Sequence, residues 1–264
     1  MRIALGLEYD GAAFCGWQTQ PAGCGVQDHL QAALARFTGG AALEVTAAGR
    51  TDAGVHAAAQ VVHFDSPVHR EPFSWVRGTN ASLDEHARVL WSAEVPDAFH
   101  ARYSALSRTS RYLLVDAPVA PAILRGRVGW FHHALDAGAM REALHALLGP
   151  HDFSAFRDAQ CQAKSPVREL LEARVERSGG LLAFTFRANA FLHHMVRNIV
   201  GSLVYVGSGR QPPEWIAEVL DSHDRRLAAP TFAPDGLYLA AVEYDPSFGL
   251  PAFPRHPLLD PHPP

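Results

Sequence analysis

Residues 47–57 have the sequence Ala-Ala-Gly-Arg-Thr-Asp-Ala-Gly-Val-His-Ala. Two glycines flank an arginine and an aspartate, Arg50 and Asp52, so the backbone can turn tightly there and present both charges from one short loop. An apolar segment, residues 43–46, precedes the loop, and an alternating run, residues 60–64, follows it. The pattern predicts a loop that joins two strands. The alternative is a plain tight turn in which Asp52 only accepts hydrogen bonds from nearby backbone N–H groups.

The first half of the chain alternates strand and helix patterns. Apolar residues at every second position predict strands, and apolar residues three and four positions apart predict helices. These rules give a strand over 2–9, a helix over 27–38, the two strands that flank the loop, a helix over 72–78 and a strand over 88–95. The order is strand, helix, strand, strand, helix, strand.

The second half repeats this order. The patterns predict a strand over 108–115, a helix capped by Asp136, a hairpin of strands 167–177 and 181–187, a helix capped by Asn189 that contains Phe191, Met195, Ile199 and Leu203, a shorter helix over 213–220, and a strand over 237–244. Both halves are therefore interpreted as split βαβ, ferredoxin-like units of order βαββαβ. We expect an α+β fold with an N-terminal subdomain (1–106), a C-terminal subdomain (107–245) and an extended, proline-rich tail (246–264).

The composition is typical of a soluble globular protein. Of the 264 residues, 48% are hydrophobic, which is enough for one large core or two smaller ones. No apolar run approaches the roughly 18 residues of a membrane span, and residues 1–9 become acidic too early for a signal peptide, so we expect a cytoplasmic location. Cys15, Cys24 and Cys161 are odd in number and lack a Cys-x-x-Cys spacing, which predicts free thiols rather than disulfides or a zinc ribbon.

The formal net charge of -4 argues against a nucleic-acid-binding protein, because phosphate contacts are normally made by a basic surface. Binding depends on the local field, however, and all but one of the 23 basic residues are arginines, which suit bidentate phosphate contacts. Several arginines cluster in the sequence, and we assign RNA binding to Arg102, Arg108 and Arg111, with Arg125 and Arg127 nearby. The alternative is that these are solvated surface charges.

Four further sequence blocks accompany the loop. They are Val-Gln at 26–27, Phe-His-Ala-Arg at 99–102, Asn-Ala-Phe-Leu-His-His-Met-Val-Arg-Asn at 189–198 and Gly-Leu-Tyr-Leu at 236–239. Together with residues 47–57, these blocks resemble those of the tRNA pseudouridine synthase A family, and the likeness covers nearly the whole chain.

The resemblance implies both a fold and an activity. The fold is a pseudouridine synthase fold, in which two related subdomains form a mixed, mostly antiparallel central sheet with an active-site cleft between them. The activity is isomerisation of uridine to pseudouridine in the anticodon stem-loop of tRNA, at positions 38–40. The resemblance also implies a homodimer with tRNA as its partner, and no cofactor.

The resemblance assigns roles to individual residues. Asp52 matches the catalytic aspartate, and Arg197 matches the arginine that pairs with it and keeps it ionised. Arg50 is expected to occupy the space that the target base leaves when it is flipped out of the stack. The alternative for Arg50 is a phosphate contact, and for Arg197 an exposed helix arginine. Leu237, in the last matching block, is assigned to substrate binding with Arg50 and Arg197.

Ser110 departs from the family pattern. The family carries a tyrosine there, which stacks on the flipped uracil and has been assigned a role in the proton transfer at C5. Tyr112 lies on the same strand face, because side chains alternate, and is the candidate for a partial substitute. Aromatic stacking on a base is worth about 1–3 kcal/mol, so we expect RNA binding to persist and turnover to suffer.

The histidines provide little support for a metal site. His193 and His194 are neighbours that a helix would point about 100° apart, no carboxylate stands at a helical ligand spacing, and His56 and His63 add no further pattern, so we expect no metal. The glycines form no nucleotide-phosphate loop, so neither ATP nor NAD is expected. Two other functions stay open: a tRNA-binding or tRNA-folding protein with weak or no catalysis, and a metal-dependent hydrolase that uses Asp52.

Overall fold

The structure, a computed structural model, describes residues 1–256, 258 and 259. Over these residues the chain forms ten strands and five α-helices, which confirms the α+β class. Contacts group residues 1–106 with the described residues from Tyr238 onward, as an N-terminal unit, and Ser107–Leu237 as a C-terminal unit. The expected division placed residues up to 245 in the second subdomain, so the two groupings differ over the last strand.

The N-terminal unit contains the elements of the first half in the expected order. They are β1 (Arg2–Tyr9), α1 (Val26–Phe37), β2 (Thr46–Ala47), β3 (His56–Asp65), α2 (Pro72–Asn80), β4 (Ala87–Val95) and, from the end of the chain, β10 (Leu237–Tyr244). β1 lies between β4 and β3 and is antiparallel to both, and the short β2 is antiparallel to β3. This is the strand order of a ferredoxin-like unit.

β10 joins this sheet as a parallel neighbour of β3, with Tyr238 opposite His56. The pairing explains why contacts group the last strand with the first half of the chain, although it follows the second half in sequence. One parallel pair among antiparallel ones makes the sheet mixed and mostly antiparallel, as expected.

The core of the N-terminal unit forms where the predicted apolar faces meet. Leu30 and Leu34 of α1 are fully buried in one cluster with Leu5 of β1. Trp75 of α2 is fully buried against Phe64 of β3, with ring centroids 5.3 Å apart. Burying apolar area of this kind stabilises a fold by about 25 cal/mol per Å². The helices therefore cover one face of the sheet.

The C-terminal unit also follows the expected order, with additions. Its elements are β5 (Ala105–Asp116), β6 (Gly129–Phe131), α3 (Ala137–Leu144), β7 (Gly149–Asp152), β8 (Val167–Ser178), β9 (Leu181–Ala188), α4 (Met195–Gly207) and α5 (Trp215–Ser222). β5, β9, β8 and β7 are antiparallel neighbours in that order, and β6 is parallel to β5. The strands β6 and β7 were not predicted.

The N-terminal caps of α3 and α4 differ in how well the sequence predicts them. Asp136 caps α3 as expected, because its carboxylate accepts hydrogen bonds from the N–H groups of Gly138 and Ala139. The prediction that Asn189 caps α4 is wrong: the helix begins at Met195, after His194, whose φ is 61°. The Asn189 side-chain oxygen instead accepts hydrogen bonds from the N–H groups of Ala190 and Glu169, at 2.7 and 3.2 Å, and ties the end of β9 to β8.

The cysteine prediction is wrong for two of the three residues. Cys15 and Cys24 form a disulfide, with Cα atoms 5.4 Å apart, and Cys161 is the remaining free thiol. The bridge closes the loop between β1 and α1, whose turns bring the two residues together. Separately, among the described residues, no helix has the length and apolarity needed to cross a membrane.

The tail packs against the N-terminal unit over its described part. The ring of Phe248 lies 5.1 Å from that of Phe99, and the ring of Phe253 lies 5.3 Å from that of Trp91. The tail, which was expected to run extended, begins with a 3-10 helix at Pro246–Phe248 and is held by these apolar contacts. Residues 257 and 260–264 of the predicted tail lie outside the described residues.

Candidate active site

The loop of residues 48–55, the Asp52 loop, joins β2 to β3 as predicted. It is fixed at its start by a hydrogen bond from Ala48 N to Val61 O, 2.8 Å long. It turns where Val55 N donates to Asp52 O at 3.1 Å, next to Gly54, whose φ of 80° lies in the region that favours glycine. The two strands and the turn together set the direction in which residues 50–52 leave the sheet.

A buried polar network supports the loop from below. The Tyr9 hydroxyl and Thr51 Oγ1 share a hydrogen bond of 2.8 Å, and Gln60 Nε2 donates to Gly49 O at 2.7 Å and to the Tyr9 hydroxyl at 3.4 Å. Burial raises the pKa of Tyr9 to about 12, so its hydroxyl stays protonated at neutral pH. Buried polar groups that are hydrogen-bonded in this way specify one backbone geometry.

The loop that the Cys15–Cys24 bridge closes, residues 15–24, is called the disulfide loop, and it is hydrogen-bonded to the Asp52 loop. Trp17 N donates to Thr51 O at 2.9 Å. Gly16 O and Trp17 O accept from Val26 N and Gln27 N of α1, at 3.1 and 3.0 Å. The disulfide loop thus links the start of α1 to the Asp52 loop. Through these hydrogen bonds the Val26-Gln27 block helps to hold the Asp52 loop in place.

Arg50 and Asp52 differ in exposure. Arg50 is exposed and Asp52 is partly exposed, while Ala48 and Val55 at the two ends of the loop are buried. A carboxylate that reaches solvent from a fixed backbone can meet a substrate without moving the chain.

His56 and His63, candidate metal ligands from the sequence, make structural contacts. His56 Nδ1 accepts a hydrogen bond from Gly11 N at 3.1 Å, and its ring stacks on Tyr238 with centroids 4.7 Å apart. His63 Nδ1 accepts from Ala101 N at 3.2 Å, and burial lowers the pKa of His63 to about 4. Their Nδ1 atoms are therefore engaged in holding the fold.

Ser110 and Tyr112 lie on the same face of β5, and both are buried. Ser110 is 8% exposed and lies opposite Phe186 of β9. Tyr112 is 0% exposed, and its hydroxyl donates to Ala233 O at 2.8 Å. Burial raises the pKa of Tyr112. In this conformation a base has no access to the Tyr112 ring, so the geometry does not favour Tyr112 as a substitute for the missing aromatic.

Arg197 projects from the first turns of α4. Its Nε donates to Phe232 O at 2.8 Å, and its own carbonyl accepts from Phe232 N at 3.2 Å, which fixes the base of the guanidinium while the side chain stays partly exposed. Leu237 begins β10, is almost fully buried, and donates through its backbone N–H to Pro234 O at 2.8 Å.

The three arginines assigned to RNA have different surroundings. Arg102 is exposed, with its guanidinium carbon 5.6 Å from the centroid of the Tyr103 ring. Arg108 donates to Asn189 O at 2.8 Å, and Arg111 lies 3.8 Å from the Glu176 carboxylate. Arg108 and Arg111 thus have structural partners within the C-terminal unit, whereas Arg102 extends further into solvent.

His193 and His194 precede α4, so the expectation that a helix points them about 100° apart is wrong. Their rings lie 3.9 Å apart in the turn before the helix, and both face Asp158. His194 Nδ1 is 2.8 Å and His193 Nδ1 is 3.6 Å from an Asp158 carboxylate oxygen. Although burial opposes it, hydrogen bonds from Gln160 and His194 lower the pKa of Asp158, so the carboxylate is ionised at neutral pH.

The sequence of this chain is similar to those of known proteins over most of its length. The family model described as tRNA pseudouridine synthase matches residues 7–104 and 143–245, which include the Asp52 loop and its supports. The chain belongs to this family. It is 56% identical over 255 residues to the tRNA pseudouridine synthase A of Methylobacillus flagellatus, covering 97% of each chain. It is 57% identical over 251 residues to those of Burkholderia mallei and Burkholderia pseudomallei, covering 95% of this chain and 93% of each relative.

Only some of the assigned site residues lie within the ranges that match the tRNA pseudouridine synthase family. Arg50, Asp52, Arg197 and Leu237 lie within the matched ranges. Ser110 and Tyr112 lie between the two ranges, in the stretch where the chain departs from the expected tyrosine.

Sequence reasoning missed the residues that support the Asp52 loop. Little in the sequence distinguishes them: Tyr9 and Gln60 lie in predicted strands, and Trp17 lies in a predicted loop. The sequence carries one partial signal, a glutamine at the start of the apolar run 60–64; its burial in β3, where a glutamine requires hydrogen-bond partners, is known only from the structure. Those partners prove to be Gly49 O and the Tyr9 hydroxyl.

Proposed function

We propose that this chain isomerises uridine to pseudouridine in the anticodon stem-loop of tRNA, at positions 38–40, with Asp52 as the catalytic carboxylate. One observation carries the proposal. In a member of this family, the Gly-Arg-Thr-Asp loop is fixed from two sides by hydrogen bonds, and its aspartate remains partly exposed to solvent. The site is built to present a carboxylate.

The reaction explains why a carboxylate suits this position. Uracil leaves C1′ of the ribose, turns, and is reattached through C5, with no net redox change. Asp52 acts at the sugar or the base, as nucleophile or proton acceptor, while the C5 proton is lost and a proton is gained at nitrogen. Arg50, exposed two residues away, takes the place of the flipped base or contacts the neighbouring phosphate.

The remaining assigned residues form the proposed substrate contacts. We assign Arg197 and Leu237 to substrate binding, and the pairing of Arg197 with Asp52 stays a prediction that a double-mutant cycle tests. Because Ser110 has no aromatic ring on which the base could stack, we expect the flipped uracil to be bound weakly. Arg102, with Arg108 and Arg111, is proposed to contact tRNA phosphates.

Three further proposals concern the whole protein. It acts in the cytoplasm, where its tRNA substrate is present. It is a homodimer in which two copies share one tRNA, which sedimentation of the free protein tests. It needs no cofactor or metal, so a chelator leaves its activity unchanged; loss of activity with the chelator would favour the hydrolase alternative.

The decisive experiment incubates unmodified tRNA with the purified chain and maps pseudouridine by position. We expect product at positions 38–40. Measurable tRNA binding without product would contradict the proposal and favour the alternative of a binding or folding protein, which the names of the relatives do not favour.

A further inference from the structure

Residues 99–104 form a short turn after β4, the Tyr103 turn, and its base is buried. Phe99 and Ala101 are fully buried. Ala101 N donates to His63 Nδ1 at 3.2 Å, and the Tyr244 hydroxyl donates to Ala101 O at 2.6 Å. The turn is therefore anchored to the core of the N-terminal unit.

The outer part of the turn is closed by hydrogen bonds around His100. His100 Nδ1 accepts from the backbone N–H groups of Arg102 and Tyr103, both at 3.2 Å. His100 N donates to Ser104 Oγ at 3.0 Å, and Ser104 N donates to His100 O at 2.9 Å. These four bonds fix the backbone from which the Tyr103 side chain leaves.

The Tyr103 ring is exposed but supported. It is 77% exposed, and its centroid lies 4.3 Å from that of His100, at 31° between planes. The His100 ring in turn lies 4.7 Å from the buried ring of His63. Because so much of Tyr103 is accessible, the imidazole and the Arg102 guanidinium leave much of the ring surface open.

Single exposed aromatic residues are common and need no function. Tyr103 differs because its ring contacts that of His100, which contacts that of His63, at tilts of 31° and 58°, and because the turn is closed by hydrogen bonds, with an arginine beside the ring. Unpaired RNA bases are held by aromatic rings of this kind together with neighbouring cations. A fixed ring also loses little conformational entropy when a base stacks on it.

We propose that Tyr103 is a stacking platform for an unpaired base of the tRNA substrate, with Arg102 contacting an adjoining phosphate. The proposal rests on the proposed function for the identity of the RNA. It adds a residue that contributes to binding affinity.

The test compares tRNA affinity and steady-state kinetics for Tyr103→Ala, Tyr103→Phe and Phe73→Ala. Phe73 is the matched control, since it is 68% exposed in α2 of the same unit and belongs to no proposed site. Loss of one stacked base should raise the Kd of Tyr103→Ala roughly 5- to 150-fold and raise KM, with kcat little changed. Tyr103→Phe keeps the ring and should bind like the parent, as should Phe73→Ala.

Three outcomes would overturn the inference. Equal affinities of Tyr103→Ala and Phe73→Ala would show that no base stacks on the ring. A loss in Tyr103→Phe as large as in Tyr103→Ala would assign the effect to the hydroxyl. If Tyr103→Ala is unfolded by circular dichroism, Tyr103→Leu keeps the apolar bulk without the aromatic face and should show the same loss of affinity. Parent affinity in a folded Tyr103→Leu would overturn the proposal.

The same data separate this inference from the proposed function. Product formation with unchanged affinity in Tyr103→Ala would overturn the inference alone. A parent protein that binds tRNA through Tyr103 without forming pseudouridine would overturn the proposed function alone.

Discussion

Gly16 provides a sharp test of how the disulfide loop supports the Asp52 loop. Its φ is 94°, and a Cβ at this position would lie 2.8 Å from Thr51 O and 3.1 Å from Ala53 N. Ordinary van der Waals contacts of a Cβ begin at 3.4 Å, so Gly16→Ala must push the Asp52 loop aside by about 0.6 Å or distort its own backbone. The contact is with backbone atoms, which no side-chain rotation relieves.

Gly23 is the matched control for this change. It belongs to the same disulfide loop and has a φ of 67°, but a Cβ there would meet nothing within 4 Å. The left-handed conformation costs an alanine about 1–2 kcal/mol at either position. Overpacking adds about 1–3 kcal/mol only at Gly16.

We therefore expect Gly23→Ala to lose about 1–2 kcal/mol of unfolding free energy with unchanged kcat. Gly16→Ala should lose more and should also lower kcat, by about tenfold or more, since a misplacement of about 1 Å costs about 100-fold. Urea unfolding and steady-state kinetics with saturating tRNA measure the two quantities. Equal kcat values for the two variants would refute the claim that this contact positions the Asp52 loop.

Three further predictions concern the disulfide, a buried histidine and the missing aromatic. Cys15→Ser opens a cross-link between residues nine positions apart and should lower the unfolding free energy by about 3 kcal/mol, while Cys161→Ser should not; equal values would contradict the bridge. Burial lowers the pKa of His63 from 6.5 to about 4, so the unfolded chain takes up the proton first as the pH falls. Stability should therefore decline from about pH 6.5 towards pH 4, and less so in His63→Asn, as urea unfolding at several pH values measures; parallel curves would exclude His63 as the cause. Ser110→Tyr should raise kcat/KM roughly tenfold or more if the missing ring limits turnover, and an unchanged value in the pseudouridine assay would mean that it does not.

The sequence predicts the architecture well because both units repeat local patterns. Strand alternation and helical spacing identify β1, α1, β8 and β9 within a few residues, and Asp136 caps α3 through atoms two and three residues away. Each of these features depends on near neighbours in the chain.

The errors arise where a residue's partner is distant or where burial decides. Asn189 resembles a helix cap, but one of its hydrogen-bond donors, Glu169, lies on β8, twenty residues earlier. Cys15 and Cys24 pair because of loop turns that no periodic pattern describes. Alternation places Tyr112 on a face with Ser110, yet only the packing of Phe232 and Ala233 around Tyr112 shows that its ring is enclosed.

The Asp52 loop shows the same division within the candidate site. Its glycines and flanking strands predict a loop that presents Asp52, and the structure agrees. Its supports, Tyr9 and Gln60, come from β1 and β3 and become recognisable only when the strands are paired.

The central claim is that Asp52 performs the chemistry. Release of tritium from tRNA labelled at C5 of uridine tests it directly, because the C5–H bond is broken when the base is reattached through C5. The comparison is between Asp52→Asn, which keeps the shape of the side chain, and Glu44→Gln, which removes an exposed charge just before β2. Asp52→Asn should release no tritium above background while its tRNA affinity stays close to that of the parent, and Glu44→Gln should react like the parent. Tritium release by Asp52→Asn at the parent rate would contradict the account.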